Sequence, residues 1–420
     1  MNRVYGLVCE IFLGIILTAC AAENSASPTP TPAFANAPRP IQSPSATIFP
    51  PTLTRSQIDS SNPITLTLWL SEEWAPNATP AGRVLQEQLN GWKKNNPTLG
   101  VNIVLKKNSG KGGLLDFLAT TRDIAPARAP DLITLDFSDL ALAADARLIQ
   151  PLDGWLAPSI ENELFPFALR ATRVENQWMG ATFVADVQHL ISTAPPPRTW
   201  DEFTRQKNAW FLPLAGDDAF LLQYLALGAS PKPNLDVNAS ALVLGFFKRA
   251  RDLGLLPDAA INLKSSDDGW SAFANGQIAM AQVSATRYLS ERAQTRAAQT
   301  SAIPTRDGNI TTLATGWTFA IVTDDPARRA ASARLIEWLM QKERLAQWLR
   351  AAQRIPATRS ALPLAVDPPE YAAFLQTVME RATVAALSPQ QAESVRAAIS
   401  AVWKGQATPE QAARNLIAVK

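Results

Sequence analysis

The chain has 420 residues and a formal net charge of +2, with acidic and basic residues interspersed. This balance excludes the strongly basic surface that binds nucleic acids. The chain has only two cysteines, Cys9 and Cys20, and a single histidine, His189. We therefore expect no disulfide in the folded part, no thiolate or histidine metal site, and no cofactor.

The chain begins with a short apolar run, residues 7–19, behind a single cation, Arg3. The run is shorter than the about 20 apolar residues that a membrane span needs. It ends in Leu17-Thr18-Ala19-Cys20, which resembles the lipobox where a bacterial leader is cut and the cysteine is acylated. We expect residues 1–20 to be a lipoprotein signal peptide and Cys20 to carry the lipid. Glu10 interrupts the run, and a buried N-terminal helix is the alternative.

Residues 21–63 are dominated by Pro, Ser, Thr and Ala. Such a composition buries too little apolar surface to offset the entropy of the chain, so we expect a disordered tether. The tether would hold the folded part outside the cytoplasm and close to a membrane. The remaining residues, 64–420, are enough for two domains of about 150 residues each.

Strand and helix patterns alternate in the first half of the folded part. β-branched and apolar runs predict strands at 64–70, 101–105 and 132–135, with helices beginning at Pro80 and near Leu114. This order predicts βαβ units and an α/β fold. In such folds ligands bind beyond the carboxyl ends of the strands. The segments after Trp69 and after Leu135 are therefore candidates for a binding site.

The second half contains several helix starts. The pattern Thr199-x-x-Glu202 is a capping box, and Ser388 and Thr408 begin two more, each followed by proline. Asp325-Pro326 predicts the start of another helix, whose inner face carries Leu335, Ile336, Leu339 and Met340. The sequence contains no repeat of 20–50 residues.

Several short motifs occur along residues 64–420. In chain order they are Pro130-Asp131, Pro151-Leu152-Asp153, Thr199-Trp200-Asp201-Glu202, Phe273-x-x-Gly276, Gly316-Trp317 and Ile355-Pro356-x-x-Arg359. In this order they resemble the extracellular solute-binding proteins of ATP-binding-cassette importers, the family that includes maltose-binding protein. The resemblance covers nearly all of the folded part.

The resemblance implies a two-lobed periplasmic-binding-protein-like fold of type II, with mixed, mostly parallel sheets flanked by helices. It places residues 64–184 plus 320–355 in lobe 1, and residues 185–319 plus 356–420 in lobe 2. The chain would cross between the lobes near 183–186, 316–320 and Pro356. It also implies that a small solute, most simply a carbohydrate, is clamped by cleft closure and passed to the permease of the importer. We expect a monomer that binds no nucleic acid.

Two departures from the family pattern leave an alternative open. The segment after His189 is shorter than in the family, and the residues after Met280 lack the usual tryptophan, with Arg287 in the altered stretch. A degenerate binding protein that acts as a sensor or scaffold for a membrane partner is therefore the second hypothesis.

Sugars present flat C–H faces, on which tryptophan stacks, and a rim of hydroxyl groups that carboxylates and arginine bind. Each of several candidates also has a structural alternative. Trp69 and Trp270 could belong to the core, Asp136 could cap a helix, and Arg287 could be a solvated surface residue. The candidate ligand-binding residues are Trp69, Glu72, Trp74, Asp136, Asp186, Trp270, Arg287 and Trp317.

The adjacent carboxylates Glu72 and Glu73 raise the alternative of an exported hydrolase. Neighbouring residues of an extended segment point to opposite faces, so the two would form a poor acid–base pair. We therefore expect no catalytic residues.

Overall fold

The computed structural model describes residues 63–74, 79–295 and 298–416. The expected signal peptide, Cys20 and nearly all of the tether lie outside these residues. No helix within the described ranges is both long enough and apolar enough to cross a membrane.

The strands expected in the first half are confirmed, each with slightly wider bounds. Within the described ranges the strands are β1 Ile64–Ser71, β2 Leu99–Lys106, β3 Leu132–Asp136, β4 Arg173–Val174, β5 Gln177–Trp178, β6 Ala181–Ser192, β7 Trp210–Phe211, β8 Met280–Ser284, β9 Gln299–Ser301, β10 Thr312–Ile321, β11 Ile355–Pro356 and β12 Ala382–Thr383.

The expected helix starts are also confirmed. The helices are α1 Pro80–Asn95, α2 Leu114–Ile124, α3 Phe137–Asp145, α4 Pro158–Glu163, α5 Pro166–Thr172, α6 Trp200–Thr204, α7 Asp218–Ala226, α8 Val237–Asp252, α9 Trp270–Ala274, α10 Ala285–Glu291, α11 Pro326–Leu339, α12 Lys342–Ala352, α13 Leu362–Ala365, α14 Pro369–Met379, α15 Pro389–Trp403 and α16 Pro409–Asn415.

Side-chain caps fix where several of these helices begin. The reciprocal capping boxes at Ser388 and Thr408 are complete. At Thr199 the hydroxyl accepts from the backbone N–H of Glu202 at 3.0 Å, as expected. The Glu202 carboxylate, however, accepts from the N–H of Arg198 at 2.7 Å rather than from that of Thr199. The bond therefore secures the residue before the cap.

A mixed sheet organises the chain in the strand order β2-β1-β3-β10-β6-β8-β7. The pairs β1–β2, β1–β3, β7–β8 and β10–β12 are parallel. The antiparallel pairs of this sheet all include β6 or β10, which pair with each other and with β3, β8, β9 and β11. The expected α/β fold with a mixed sheet is confirmed. Within the described residues the sheet is not mostly parallel, because these two long strands make five antiparallel pairs against four parallel ones.

The three expected crossing segments are neighbouring strands, with β6 between β10 and β11. Ala185 of β6 pairs with Gly316 of β10 on one side and with Ile355 of β11 on the other. Val184 likewise pairs with Trp317 and Pro356. The central part of β6 is therefore held from both edges by the other two segments.

Apolar side chains pack on both sides of the two halves of the sheet. In β1, Leu66, Leu68 and Leu70 face one cluster, which also contains side chains of α1, α5, α11 and α12, and Trp69 faces another with α2 and α3. Further along β6, Leu190 packs with α6–α8 and α15–α16, whereas Ile191 packs with α9 and β8. This alternation is the two-residue period of a sheet covered on both faces.

The helices α13 and α14 follow residue 356, where the sequence predicted a return to lobe 2, but they pack elsewhere. Leu362, Tyr371 and Leu375 pack in the cluster of α1, α11 and α12 rather than with α15 and α16. The segment after β11 therefore first packs with α1, α11 and α12, the helices expected in lobe 1, before the chain reaches α15 and α16.

The motif residue Asp131, just before β3, joins this strand to β1 and α11. Its buried carboxylate accepts from the backbone N–H of Thr67 in β1 at 2.7 Å. It also accepts two bonds, at 2.5 and 2.6 Å, from the guanidinium of Arg328 in the first turn of α11. This two-pronged ion pair fixes the start of β3 against β1 and α11.

We predict that Asp131→Asn lowers the free energy of unfolding by about 1–2 kcal/mol, because the neutral amide weakens the pair with Arg328, whose side chain is 37% exposed while that of Asp131 is buried. Urea denaturation followed by tryptophan fluorescence measures this. The matched control is Glu343→Gln, which breaks an exposed pair with Lys342 at 3.5 Å and should change stability by less than about 0.5 kcal/mol. Equal effects for both variants would contradict the role given to Asp131.

Candidate functional site

The carboxyl ends of the parallel strands meet at one edge of the sheet. β1 ends at Ser71, β2 at Lys106 and β3 at Asp136. Because β10 runs antiparallel to β3, Trp317 pairs with Asp136, and Thr315 pairs with Asp186 of β6. Paired residues, and residues two apart in one strand, point to the same face. The fold thus brings Asp136, Trp317 and Asp186 together on one face.

Close packing around Gly316 leaves no room for a side chain at this position. A Cβ atom at this position would lie 2.6 Å from Cζ of Phe137 and 2.7 Å from the backbone oxygen of Val184. Both are closer than non-bonded atoms can approach, so a larger residue would push β10 away from β6. The absence of a side chain lets the Phe137 ring cover the crossing beside the half-buried Trp317.

Asp136 acts as the N-cap of α3. Its Oδ1 accepts from the backbone N–H of Asp139 at 2.8 Å, which is the capping role that the sequence left open. Burial and the charge of Asp136 raise the pKa of Asp139 to about 6. The cap fixes the carboxylate of Asp136 at the strand end, next to Trp317.

Asp186 connects β6 to the start of α10. Its Oδ1 accepts from the backbone N–H groups of Val187 at 2.9 Å and Thr286 at 3.1 Å. Burial, helped by the charge of Asp267, raises the pKa of Asp186 to about 6, although the bonds from Thr286 and the charge of Arg354 oppose this rise. Asp186 therefore changes charge in a mildly acidic medium.

Arg287 lies at the carboxyl end of β8, among acidic partners. Its Nε is 3.8 Å from Oδ2 of Asp267, and its guanidinium pairs with Glu291 one turn later. Asp267 also accepts from the Ser284 hydroxyl at 3.0 Å. Arg287 is about one-third exposed within this network, so its position is fixed while part of it faces solvent.

Asn108 and Arg354, which the sequence analysis did not select, join this edge beside Glu72 and Glu73. Glu72 and Glu73 share a single 3₁₀ turn after β1. Oε2 of Glu73 accepts from Asn108 at 3.4 Å and lies 4.0 Å from Nη2 of Arg354. Asn108 and Arg354 stand in turns, far apart in sequence, where no periodic pattern singles them out.

A pocket of about 490 Å³ lies against the same turn. Glu73 and Trp74 form one side of it, and the end of α12, with Arg350 and Arg354, forms the other. Arg350 is engaged by Asp367 at 3.2 Å. Arg354 is held less closely than Arg350, because its Nη2 lies 4.0 Å from the carboxylate of Glu73.

Three of the selected tryptophans are almost fully buried. Trp69, Trp74 and Trp270 are 5%, 2% and 4% exposed. Trp74 packs edge-on against Phe183 and Trp348 in the core of lobe 1. Trp270 packs in the cluster of Ile191 and α9. These rings offer little surface to a ligand in this structure, which favours the core roles that the sequence left open for Trp69 and Trp270.

His189 occupies the stretch where the chain departs from the family pattern. Its Nδ1–H donates to the backbone oxygen of Leu190 at 3.2 Å, so its Nε2 accepts from the Tyr371 hydroxyl at 2.9 Å. The rings of Tyr288 and Phe374 meet it edge-on at 5.5 Å. Burial in this aromatic cage lowers the pKa of His189 to about 4, despite the bond to Leu190.

We predict that His189→Gln removes a loss in the free energy of unfolding that His189 causes as the pH falls from 6.5 to 4. Between pH 6.5 and 4 the unfolded chain takes up the proton that the folded state refuses, so His189 should cost on the order of 3 kcal/mol at pH 4. Glutamine can still accept from Tyr371 but does not titrate. Urea unfolding at pH 7 and pH 4 should therefore show that the variant becomes more stable relative to wild type as the pH falls.

Asp139 and Asp186, whose raised pKa values act with the opposite sign, are common to both proteins and cancel in the comparison. A difference between wild type and His189→Gln that stays the same at both pH values would show that His189 does not titrate as inferred.

The comparisons with known proteins identify the family and the fold of the chain. The family described as bacterial extracellular solute-binding protein matches residues 116–376. The chain has no match among curated proteins. Its fold is similar to that of cyclic alpha-maltosyl-1,6-maltose binding protein from Arthrobacter globiformis, with 15% identity, a TM-score of 0.70, and coverage of 84% of this chain and 97% of the other.

Two further solved structures show the same fold. A cyclo/maltodextrin-binding protein complexed with maltotetraose has 17% identity and a TM-score of 0.70, covering 85% of this chain and 96% of the other. The maltotriose-binding protein of Thermus thermophilus has 18% identity and a TM-score of 0.59, covering 84% of this chain and 98% of the other. At these identities the likeness establishes the two-lobed fold and leaves the ligand to be argued from the site.

Proposed function

Since the chain belongs to the bacterial extracellular solute-binding protein family, we propose that it binds a carbohydrate outside the cytoplasm and delivers it to the permease of an ATP-binding-cassette importer. Membership implies the extracytoplasmic location. The observation that carries the sugar ligand is the row of Asp136, Trp317 and Asp186 on one face of the sheet. Similar folds hold maltotetraose and maltotriose in the two proteins above.

The chemistry of this row suits a sugar. The half-buried indole of Trp317 supplies an apolar surface for a C–H face. The carboxylates of Asp136 and Asp186 accept hydroxyl protons, and charged acceptors make stronger bonds than neutral ones. Arg287 and Arg354, each about one-third exposed, would supply donors. An apolar platform bordered by fixed polar groups is typical of small-molecule sites.

Delivery requires that the ligand change the shape of the protein. The crossings at β6, β10 and β11 form the hinge of the proposed motion, and a ligand held between the lobes favours the closed state by its greater affinity for that state. The permease then recognises the closed form and receives the solute.

The proposed lipid on Cys20 would hold this receptor at the membrane. A single acyl chain gives only reversible binding, whereas two or more chains hold a protein stably. The Pro-rich residues 21–63 would then let the folded part reach both its solute and the permease.

We predict that Trp317→Ala weakens sugar binding by about ten-fold or more, because it removes the apolar platform at the centre of the site. Isothermal titration calorimetry with maltose, maltotriose and maltotetraose measures the change. The matched control is Trp403→Ala, since Trp403 is also partly buried but lies at the end of α15, beside Arg251. Unchanged affinity in Trp317→Ala would place the ligand elsewhere, and a wild-type protein that binds none of the sugars would exclude this ligand class.

We predict that Cys20→Ser abolishes membrane anchoring, because serine offers no thiol for acylation. The wild-type protein, expressed in a bacterial host, should enter the detergent phase of a Triton X-114 extraction, and the variant should stay in the aqueous phase. Cys9→Ser, which alters the other cysteine, is the control and should behave as wild type. Detergent partitioning of Cys20→Ser equal to that of wild type would refute the lipid site.

A further inference from the structure

We infer that the outer edge of β2 is a docking surface for an extended, acidic polypeptide segment, which adds to the sheet as one more strand. The surface lies outside the proposed ligand site, so it does not depend on the sugar. Two features of the molecule lead to it. One is a row of backbone groups on β2 that face no neighbouring strand, and the other is a group of lysines around them that pair with no carboxylate.

β2 is the outermost strand on its side of the sheet. It follows β1 in the strand order, and its 8 residues pair with β1 in one unbroken register, from Ile64↔Leu99 to Ser71↔Lys106. Exposed edges are often blunted by proline, by bulges or by very short strands. β2 has none of these features, so it presents a straight edge long enough to pair with another strand.

One hydrogen bond identifies the backbone groups on the open side of β2. The N–H of Ile64 in β1 donates to the backbone oxygen of Thr98 at 2.8 Å. Thr98 and every second residue after it therefore direct their backbone groups towards β1. The intervening residues Val101, Ile103 and Leu105 direct theirs away from it. In the described part of the chain these groups have no hydrogen-bond partner, and an added strand would supply one for each.

The apolar side chains of the same three residues are left partly in water. Leu105 is 37% exposed, although its partner Leu70 in β1 is fully buried. Val101 and Ile103 are only partly buried against the cluster that contains α1. β-branched and apolar side chains pack well against those of a neighbouring strand. A docked strand would therefore cover apolar surface as well as satisfy the backbone.

Lysines lie at both ends of this edge. Residues 88–115 contain five lysines and neither aspartate nor glutamate. Two lie in the last turn of α1, just before β2, and three lie at or just after the end of β2. They are Lys93, Lys94, Lys106, Lys107 and Lys111. Over the described ranges, the lysines that pair with a carboxylate are Lys248 and Lys342 instead. The positive charge around β2 is therefore available to an acidic partner.

This charge also decides which occupant fits. Antiparallel pairing of β2 with that of a second copy would bring the lysines at the end of one strand close to those at the start of the other, so like charges oppose a dimer. An anionic membrane would attract the lysines, but it offers no regular row of donors and acceptors to the backbone. A strand with acidic residues at its ends satisfies both requirements.

The test measures the binding of a synthetic peptide to the full-length protein in detergent, by fluorescence anisotropy. The peptide is acetylated and amidated, with glutamates at both ends and alternating valine and threonine between them. We expect it to bind, and we expect Lys93→Glu/Lys94→Glu/Lys107→Glu, which reverses three exposed charges, to weaken binding by about ten-fold or more. Thermal unfolding and sugar affinity of this variant should match wild type.

The matched control is Lys207→Glu/Lys404→Glu. It reverses the charge of two exposed lysines elsewhere in the chain, and it should leave the affinity for the peptide within about two-fold of wild type.

Two further measurements test the role of the backbone without altering the protein. A peptide with N-methyl groups on all its central residues lacks the donors of a strand and should bind about ten-fold more weakly or worse. Hydrogen exchange resolved by residue should be fast at Val101, Ile103 and Leu105 in the protein alone and slow in the complex. The amide of Val104, which faces β1, should be protected in both states.

Three results would overturn the inference. The first is a peptide that does not bind, or whose binding is insensitive to the lysine variant or to N-methylation. The second is slow exchange at Val101, Ile103 and Leu105 in the protein alone, which would show that another segment of the chain or a second copy already covers the edge. The third is lysine-dependent binding to phosphatidylglycerol vesicles without binding of the peptide, which would assign the surface to a membrane.

Discussion

The pairing of three distant chain segments on one strand is the constraint on which this structure depends. Ala185 pairs with Gly316 and Ile355, and the next row joins Val184, Trp317 and Pro356. A side chain at Gly316 would collide with Phe137 and with the backbone of β6, so the closeness of this pairing requires glycine. Because the rows hold β6 from both edges, the residues around them, Asp186 and Trp317 among them, are fixed at the point where the proposed motion turns.

Burial decides the charge of the groups around this junction. Asp186 and His189, three residues apart on β6, are both shifted towards their neutral forms, the acid upwards and the base downwards. Lowering the pH therefore neutralises Asp186 near pH 6 and charges His189 only near pH 4. His189 joins β6 to Tyr371 of α14, and Asp186 joins β6 to α10. These two side chains connect the crossing strand to α14 and α10.

The family motifs have structural roles that explain their spacing. Asp131 secures β3 to β1 and α11, and Arg359 binds Glu380 and the backbone of Leu164. Gly276 ends α9 with a φ of +72°, which favours glycine. Residues of this kind specify the fold, and they identify the family without identifying the ligand. Of the groups that would contact a ligand, Trp317 belongs to a motif, whereas Asp136 and Asp186 lie in strands outside the motifs.

The sequence by itself determined the first three strands, the first two helices, several capped helix starts, the family and its α/β fold, because hydrophobic periodicity, caps and short motifs are local properties of the chain. It also selected Asp136, Asp186 and Trp317. Only the tertiary structure decided that these three share a face, that Trp74 is buried, and that Asn108 and Arg354 lie at the same edge. The reason is physical: proximity across a sheet depends on strand order and register, which join residues hundreds of positions apart, and no local pattern in the chain encodes those pairings.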